Sequence, residues 1–398
     1  MKVGIVAQGF IDWAGGVDFL RTVSTSLHFA APDVEQHVLV PSSGPRATIA
    51  AAREQVKRLL GRPTNARHRP QWAHVARTFA ETGATMHAID MGAAALASAG
   101  RRLGLDVVLP SIAPLPQDFS LPWIGYLFDF QHKRLPHFFS AFERANRDAA
   151  FGSMLASARS VIVNAQDVAD DIRNFYPESP ARLFALPFSA APGADWFEQD
   201  PKTTARRHGL EQPYFIVCNQ FWKHKDHDTA FKAFADIARM HPAVLLACTG
   251  ATSDYRHPGH FEQLMAYAQR EGVAARIRIL GMVPKLDQIA LIRGAIAMIQ
   301  PTLFEGGPGG GAVYDAVSMG TPSIVSDLPV NRELNEPTVT YFEAANVESL
   351  AAKMDAAIAH GAAVRATSAA LFQEGHARRV QCGRRLLEAI DFATSLPK

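Results

Sequence analysis

The chain has 398 residues, enough for two domains or three at ~100–200 residues each. Hydrophobic residues make up 48% and charged residues 20%, ordinary globular proportions that exclude wholesale disorder. Lys plus Arg exceed Asp plus Glu by only 40 − 38 = 2, which argues against a dedicated nucleic-acid binder. Cys218, Cys248 and Cys382 are far apart and fit neither a disulfide framework nor a zinc spacing, so a reducing, cytoplasmic setting is expected. Apolar runs fall far short of the ~18 residues that span a bilayer.

In chain order, Lys2–Ala7 reads as a buried strand, more than as a secretion signal, and Val17–Ala30 as an amphipathic helix. His37–Val40, Val107–Pro110 and Val161–Val163 repeat the strand signal, with helical stretches at 155–159 and 168–175. From Phe188 to Pro213 the pattern breaks into a Pro- and charge-rich stretch that suits an interdomain connection. Alternation then restarts. Strands are expected at 214–218, 244–248, 276–280, 297–300 and 323–326, and helices at 229–239, 260–269, 286–294 and 311–319. The pattern predicts an α/β protein of two Rossmann-like, doubly wound parallel-sheet domains, residues 1–195 and 205–375, facing across a cleft. Ligands are expected at the carboxyl ends of the strands.

The most informative stretch runs from Pro301 to Glu333. Gly306, Gly307, Gly309, Gly310 and Gly311 occupy five of six positions, with Pro308 between them, and a helix follows. Glycines let a backbone approach a ligand closely, and a helix start offers unpaired N–H groups to phosphate. Glu305 and Asp315 bracket the loop; carboxylates there suit vicinal hydroxyls, because each accepts two hydrogen bonds. The same glycines also fit a dinucleotide fingerprint, with Gly307, Gly309, Ala312 and then Asp327 at 327 − 307 = 20 residues. However, Thr302 to Gly306 intervene after the strand, whereas such a fingerprint follows its strand directly.

Here the sequence resembles the retaining glycosyltransferases of the GT-B fold, family 4 in the group 1 type. Glu305 takes the position of the family's first Glu, Gly320-Thr321-Pro322 closes the motif, and Asp315 stands where a second Glu is usual. The resemblance implies a nucleotide-diphospho-sugar donor, GDP- or UDP-linked, and no obligatory cofactor or metal. It implies that Glu305 meets the donor sugar, that backbone amides near Gly307 to Gly310 meet sugar and phosphate, with Pro308 part of the same donor-binding stretch, and that Asp315 holds the ribose. It further implies front-face attack without a protein nucleophile, and a glycan or lipid-linked acceptor in bacterial surface polysaccharide synthesis.

Four further stretches carry candidate site residues. After Cys218, Lys223 and Lys225 lie in a loop at a strand end, where lysines suit a diphosphate leaving group; Lys225 matches a family Lys, and Asn219 stands at a family basic position. Asp226-His227-Asp228 is a D-x-D string at a helix start, where Asp is a good N-cap. Gly15-Gly16 precedes the first helix, and a similar family loop faces the donor phosphates. In the segment Trp123–Ser140, the family's functional His is assigned to His132, with His137 the weaker alternative.

Arg53–Arg77 holds seven basic residues against Glu54, a solvated face or a contact with anionic lipid on the inner face of a membrane. A last helix, about 378–398, is expected to cross back to the first domain. The alternatives on the same fold are a nucleotide-sugar epimerase and a noncatalytic nucleotide-sugar or glycan-binding protein.

Overall fold

A computed structural model describes residues 1–11, 14–42, 79–90, 92–361 and 366–395. The basic segment 53–77 lies outside the described residues.

The first sheet has seven parallel strands: β1 (Lys2–Val6), β2 (Glu35–Pro41), β3 (Thr85–Ile89), β4 (Val107–Ser111), β5 (Trp123–Leu127), β6 (Ser160–Val163) and β7 (Arg182–Ala185), in the order β3-β2-β1-β4-β5-β6-β7. The second has six: β8 (Tyr214–Cys218), β9 (Leu245–Thr249), β10 (Ile277–Gly281), β11 (Met298–Gln300), β12 (Ser323–Ser326) and β13 (Val339–Phe342), in the order β10-β9-β8-β11-β12-β13. Both orders reverse beside the first strand of the domain, the doubly wound arrangement that opens a crevice at the strands' carboxyl ends. Strands such as Tyr214–Cys218 and Val107–Ser111 are buried along nearly their whole length, as parallel strands covered on both faces must be.

The helices are α1 (Ala14–Ala30), α2 (Ala93–Leu103), α3 (Gln131–Arg134), α4 (Ala141–Ser157), α5 (Gln166–Phe175), α6 (Pro201–Arg207), α7 (His227–Met240), α8 (His260–Arg270), α9 (Lys285–Gly294), α10 (Gly310–Ser318), α11 (Val347–Ala359) and α12 (Ser368–Ser395). The interdomain connection is more ordered than its composition suggests. Trp196, in a single 3-10 turn, packs with Ile289 and Met319, and Asp200 caps α6 by accepting from the Thr203 N–H at 2.7 Å.

The 28-residue α12 follows the second sheet in sequence but belongs to the core of the first. Cys382, Leu386, Ala389 and Ile390 are fully buried there, together with Leu20, Val23 and Leu27 of α1. Gly383 sits where a Cβ would lie 2.0 Å from the Ser26 carbonyl oxygen, so only glycine permits this approach of the two helices. The helix begins at Ser368, ahead of the expected 378. No helix among the described residues is long and apolar enough to cross a membrane.

Candidate active site

A cavity of about 530 Å³ lies between the two sheets. Its walls come from residues that follow strand ends: Ile112 after β4, Phe128 after β5, Asn164 after β6, Trp222 and Lys225 after β8, and Glu305 after β11. That is where a doubly wound fold places ligands.

Glu305 is a buried carboxylate in the cleft wall, held by two donors. Its Oε1 lies 2.5 Å from Lys225 Nζ and accepts from Gln300 Nε2 at 2.8 Å. Gln300 is fixed in turn, because its Oε1 accepts from Asn219 Nδ2 at 2.8 Å. Asn219 and Gln300 are buried, so this relay is shielded from water. Asn219 therefore reaches the site through Gln300 rather than by lining the cavity.

The glycine loop serves two purposes. Gly309 and Gly310 adopt φ values of +68° and +64°, which side chains rarely tolerate, and a Cβ on Gly310 would lie 2.9 Å from Glu305 Oε2. Gly309 N–H donates to Asn331 Oδ1 at 2.8 Å, which pins the turn before α10. Gly306 and Gly307 answer to the other domain. A Cβ on Gly306 would meet the Phe128 carbonyl oxygen at 2.4 Å, and one on Gly307 would meet Asn164 Cβ at 3.0 Å. Phosphate binding alone does not explain these two glycines.

Asp315 is buried one turn into α10, and Lys285 of α9 donates to both its oxygens at 2.8 and 2.9 Å. Gln288 donates to it as well, at 3.1 Å. Lys285 also lies 3.4 Å from Asp18 of α1, and so ties the two domains. Burial works against its charge, but Asp18 and Asp315 outweigh it and hold the ammonium above the usual lysine range. Lys285 carried no sequence signal beyond a basic residue in a first helical turn.

Of the expected site residues, Gly15, Lys225, Glu305, Gly307, Gly310 and Asp315 line the cavity. Pro308 and Gly309 are buried behind it, Gly16 is buried in α1, and Lys223 is exposed outside it.

His132 does not line the cavity. Its side chain is fully buried, its Nε2 pairs with Asp148 at 2.9 Å, and its ring packs on Phe130 and Phe151. The polar side chains that reach the cavity from this segment are its neighbours Asp129 and Gln131. His137 is exposed, beside Phe138, and is not part of the cavity wall either. A helical turn at 131–134 directs residue 132 inward.

The D-x-D string is structural. Asp226 caps α7 through Thr229 N–H, His227 stacks on Phe221 at 4.0 Å, and Asp228 pairs with Lys232. Among the described residues, no group of three or more His, Cys, Asp or Glu is placed to hold a metal. Asp327, the acid of the dinucleotide spacing, pairs with Arg332 away from the cavity.

Residues 199–370 match the sequence profile of the glycosyl transferases group 1 family. The match covers less than half of the chain, and it is to this stretch alone that the likeness to the family applies. No curated protein matches the sequence closely enough to count as a relative. Among solved structures, Anabaena HepE in complex with UDP-glucose is 13% identical with a TM-score of 0.64, each chain covered over 100% of its length. A Rickettsia africae glycosyltransferase is 12% identical with a TM-score of 0.62, over 100% of this chain and 99% of that one. WaaG, a glycosyltransferase involved in lipopolysaccharide biosynthesis, is 16% identical with a TM-score of 0.55, over 100% of both. At these identities the likeness shows the fold, and that fold is GT-B. The expected two-domain architecture is thus observed across the whole chain, while the family profile covers the domain that carries Glu305, Lys225 and the glycine loop.

Proposed function

We propose that this protein is a retaining glycosyltransferase that uses a nucleotide-diphospho-sugar and passes the sugar to a glycan or lipid-linked acceptor. The observation that carries the reading is the cluster of Lys225, Glu305 and the amino end of α10 at one wall of the cleft, inside a group 1 domain. As the glycosidic bond breaks, the diphosphate gains negative charge. Lys225 and the positive end of the α10 dipole supply fixed positive charge to it. When donor binds, phosphate competes with Glu305 for Lys225, and Glu305 is then free to accept from the sugar's hydroxyls. Asp315 holds the ribose hydroxyls; burial raises its carboxyl, and Lys285 opposes that shift while donating to it.

On the facing wall, Asp129 is engaged by Arg147 at 2.8 Å and by the Gln131 N–H at 3.0 Å, and so is a poor nucleophile. Front-face attack, with the departing phosphate taking the acceptor's proton, needs no protein nucleophile. The acceptor belongs to bacterial surface polysaccharide synthesis, the chain works in the cytoplasm, and no metal or cofactor is required.

The test is thermal stabilisation by UDP, GDP, TDP, ADP, CMP and NAD, with UDP first because HepE carries UDP-glucose. A ligand at ~100 times its Kd adds about 2.7 kcal/mol. A single nucleoside diphosphate should stand out, and its sugar conjugate should then glycosylate an acceptor. Stabilisation by NAD alone, or nucleotide release with no glycosylated product, refutes the transferase reading.

A further inference from the structure

Arg379, on α12, is 5% exposed and lines the interdomain cavity. Among the described residues, no hydrogen bond or ion pair reaches its guanidinium, and its Nη1 is buried without a partner. Its neighbour Arg378 shows the contrast: it is bidentate to Glu336, at 2.7 Å for each bond. A second arginine, Arg21 of α1, also lines the cavity and opposes the Arg379 charge, while Tyr314 and Asp18 support it by smaller amounts. Arg21 has only a long contact with Glu81, at 3.4 Å, and lies over the Trp196 ring. Asp18 is the acid on this side, and it faces Lys285. Tyr314 and Ser189 complete the wall.

A buried guanidinium without an anion is destabilising, because its lost hydration is not replaced. Such a group persists in a cavity wall when a ligand supplies what the protein withholds. Its planar fork presents parallel N–H donors that match a carboxylate or a phosphate. It stands on α12, whereas the Lys225–Glu305–Gln300 cluster is built on the ends of β8 and β11.

We infer that Arg379 and Arg21 form an oxyanion subsite in the cleft, separate from the diphosphate position, which binds a carboxylate or phosphate group of a second small molecule. The inference rests on the cleft being a substrate site, but its test has its own readout. Full-length protein saturated with UDP is titrated calorimetrically with inorganic phosphate and, in a second arm, with glucuronate. The tighter of the two assigns the anion class. Arg379→Met should weaken that binding about tenfold or more, as expected for a lost charged hydrogen-bond pair, while leaving UDP affinity unchanged and raising Tm. Arg21→Gln should weaken it as well, and Arg379→Lys should recover part of it.

If neither anion binds, if Arg379→Met binds it as well as the parent, or if that variant loses UDP affinity in parallel, the subsite does not exist as described. A fall in Tm with anion binding intact would make Arg379 a packing residue. If UDP fails to bind but phosphate binding still depends on Arg379, the donor assignment falls and the subsite stands.

Discussion

Glu305 is held by three constraints that serve its position more than its charge: the Lys225 ammonium, the Gln300 amide and the missing side chain at Gly310. Glu305→Gln should therefore fold normally and still be stabilised by its nucleotide, while turnover falls by roughly 10²–10³, the scale of losing one aimed electrostatic group. Near-normal turnover would remove Glu305 from the chemistry. His132 is predicted to behave in the opposite way. Its pair with Asp148 and its packing on Phe130 and Phe151 place it in the core. His132→Gln should lower Tm and leave turnover per folded molecule within about threefold, read by active-site titration. Glu305 was legible because a Glu before a glycine run and a helix has few other uses. His132 was not, because a His between aromatic residues reads alike as ligand or core, and only the helical turn decides. Lys285 and Arg379 lay in ordinary helical contexts. Their meaning arises from contacts across the two domains, which no local pattern encodes.

At the scale of elements, the strand–helix alternation from β8 to β12 was readable to within a residue or two, because fully buried parallel strands are short apolar runs bounded by turn signals, whereas β13 and α11 were not anticipated. The connection at 188–213 was less so: its Pro and charge proved to be a helix start and cap at Asp200 and Pro201.

The cap of α7 gives a pH prediction. Asp226 sits at φ 51°, a left-handed position that Asn also tolerates, and its Oδ2 is buried without a partner. Burial pushes its carboxyl up to about 6. A raised acid binds its proton more tightly folded than unfolded, so its contribution to stability falls as pH rises from about 4 to about 6. Asp226→Asn keeps the Oδ1 acceptor for Thr229 and removes the buried charge. It should stabilise the protein at pH 7 by on the order of 2 kcal/mol, with the gain vanishing below about pH 4. Urea midpoints for both proteins between pH 4 and 8 would show it; a constant difference across that range would rule it out.

At the scale of the whole molecule, the cleft is closed by contacts on more than one side. Glu333, beyond β12, accepts from the Gln166 and Asp167 N–H groups at 2.9 and 2.8 Å, and so caps α5 of the opposite domain. Elsewhere, Arg256 lies 4.3 Å over the Phe139 ring, and Tyr255 donates to Glu143 at 3.3 Å. Gly306 is a further point of contact between the domains, against Phe128 and Asp129. Its φ is not in the left-handed region, so alanine there leaves the loop's own backbone unstrained and acts only on the approach of the domains. A Cβ 2.4 Å from a carbonyl oxygen and 2.6 Å from Asp129 Cβ forces the facing wall away. Closure excludes water from a reacting glycosidic centre and completes the site. Gly306→Ala should therefore lower Tm of the free protein by loosening these interdomain contacts, while leaving nucleotide affinity nearly unchanged, because the residues proposed to hold the nucleotide belong to one domain. The same variant should lower kcat and raise the fraction of donor lost to hydrolysis. Glu333→Gln, which weakens the cap without adding bulk, should shift both quantities in the same direction by less. Product partitioning between acceptor and water, measured with labelled donor, separates this from simple damage to the glycine loop. A loop defect would weaken nucleotide binding first, whereas a closure defect spares binding and diverts the sugar to water.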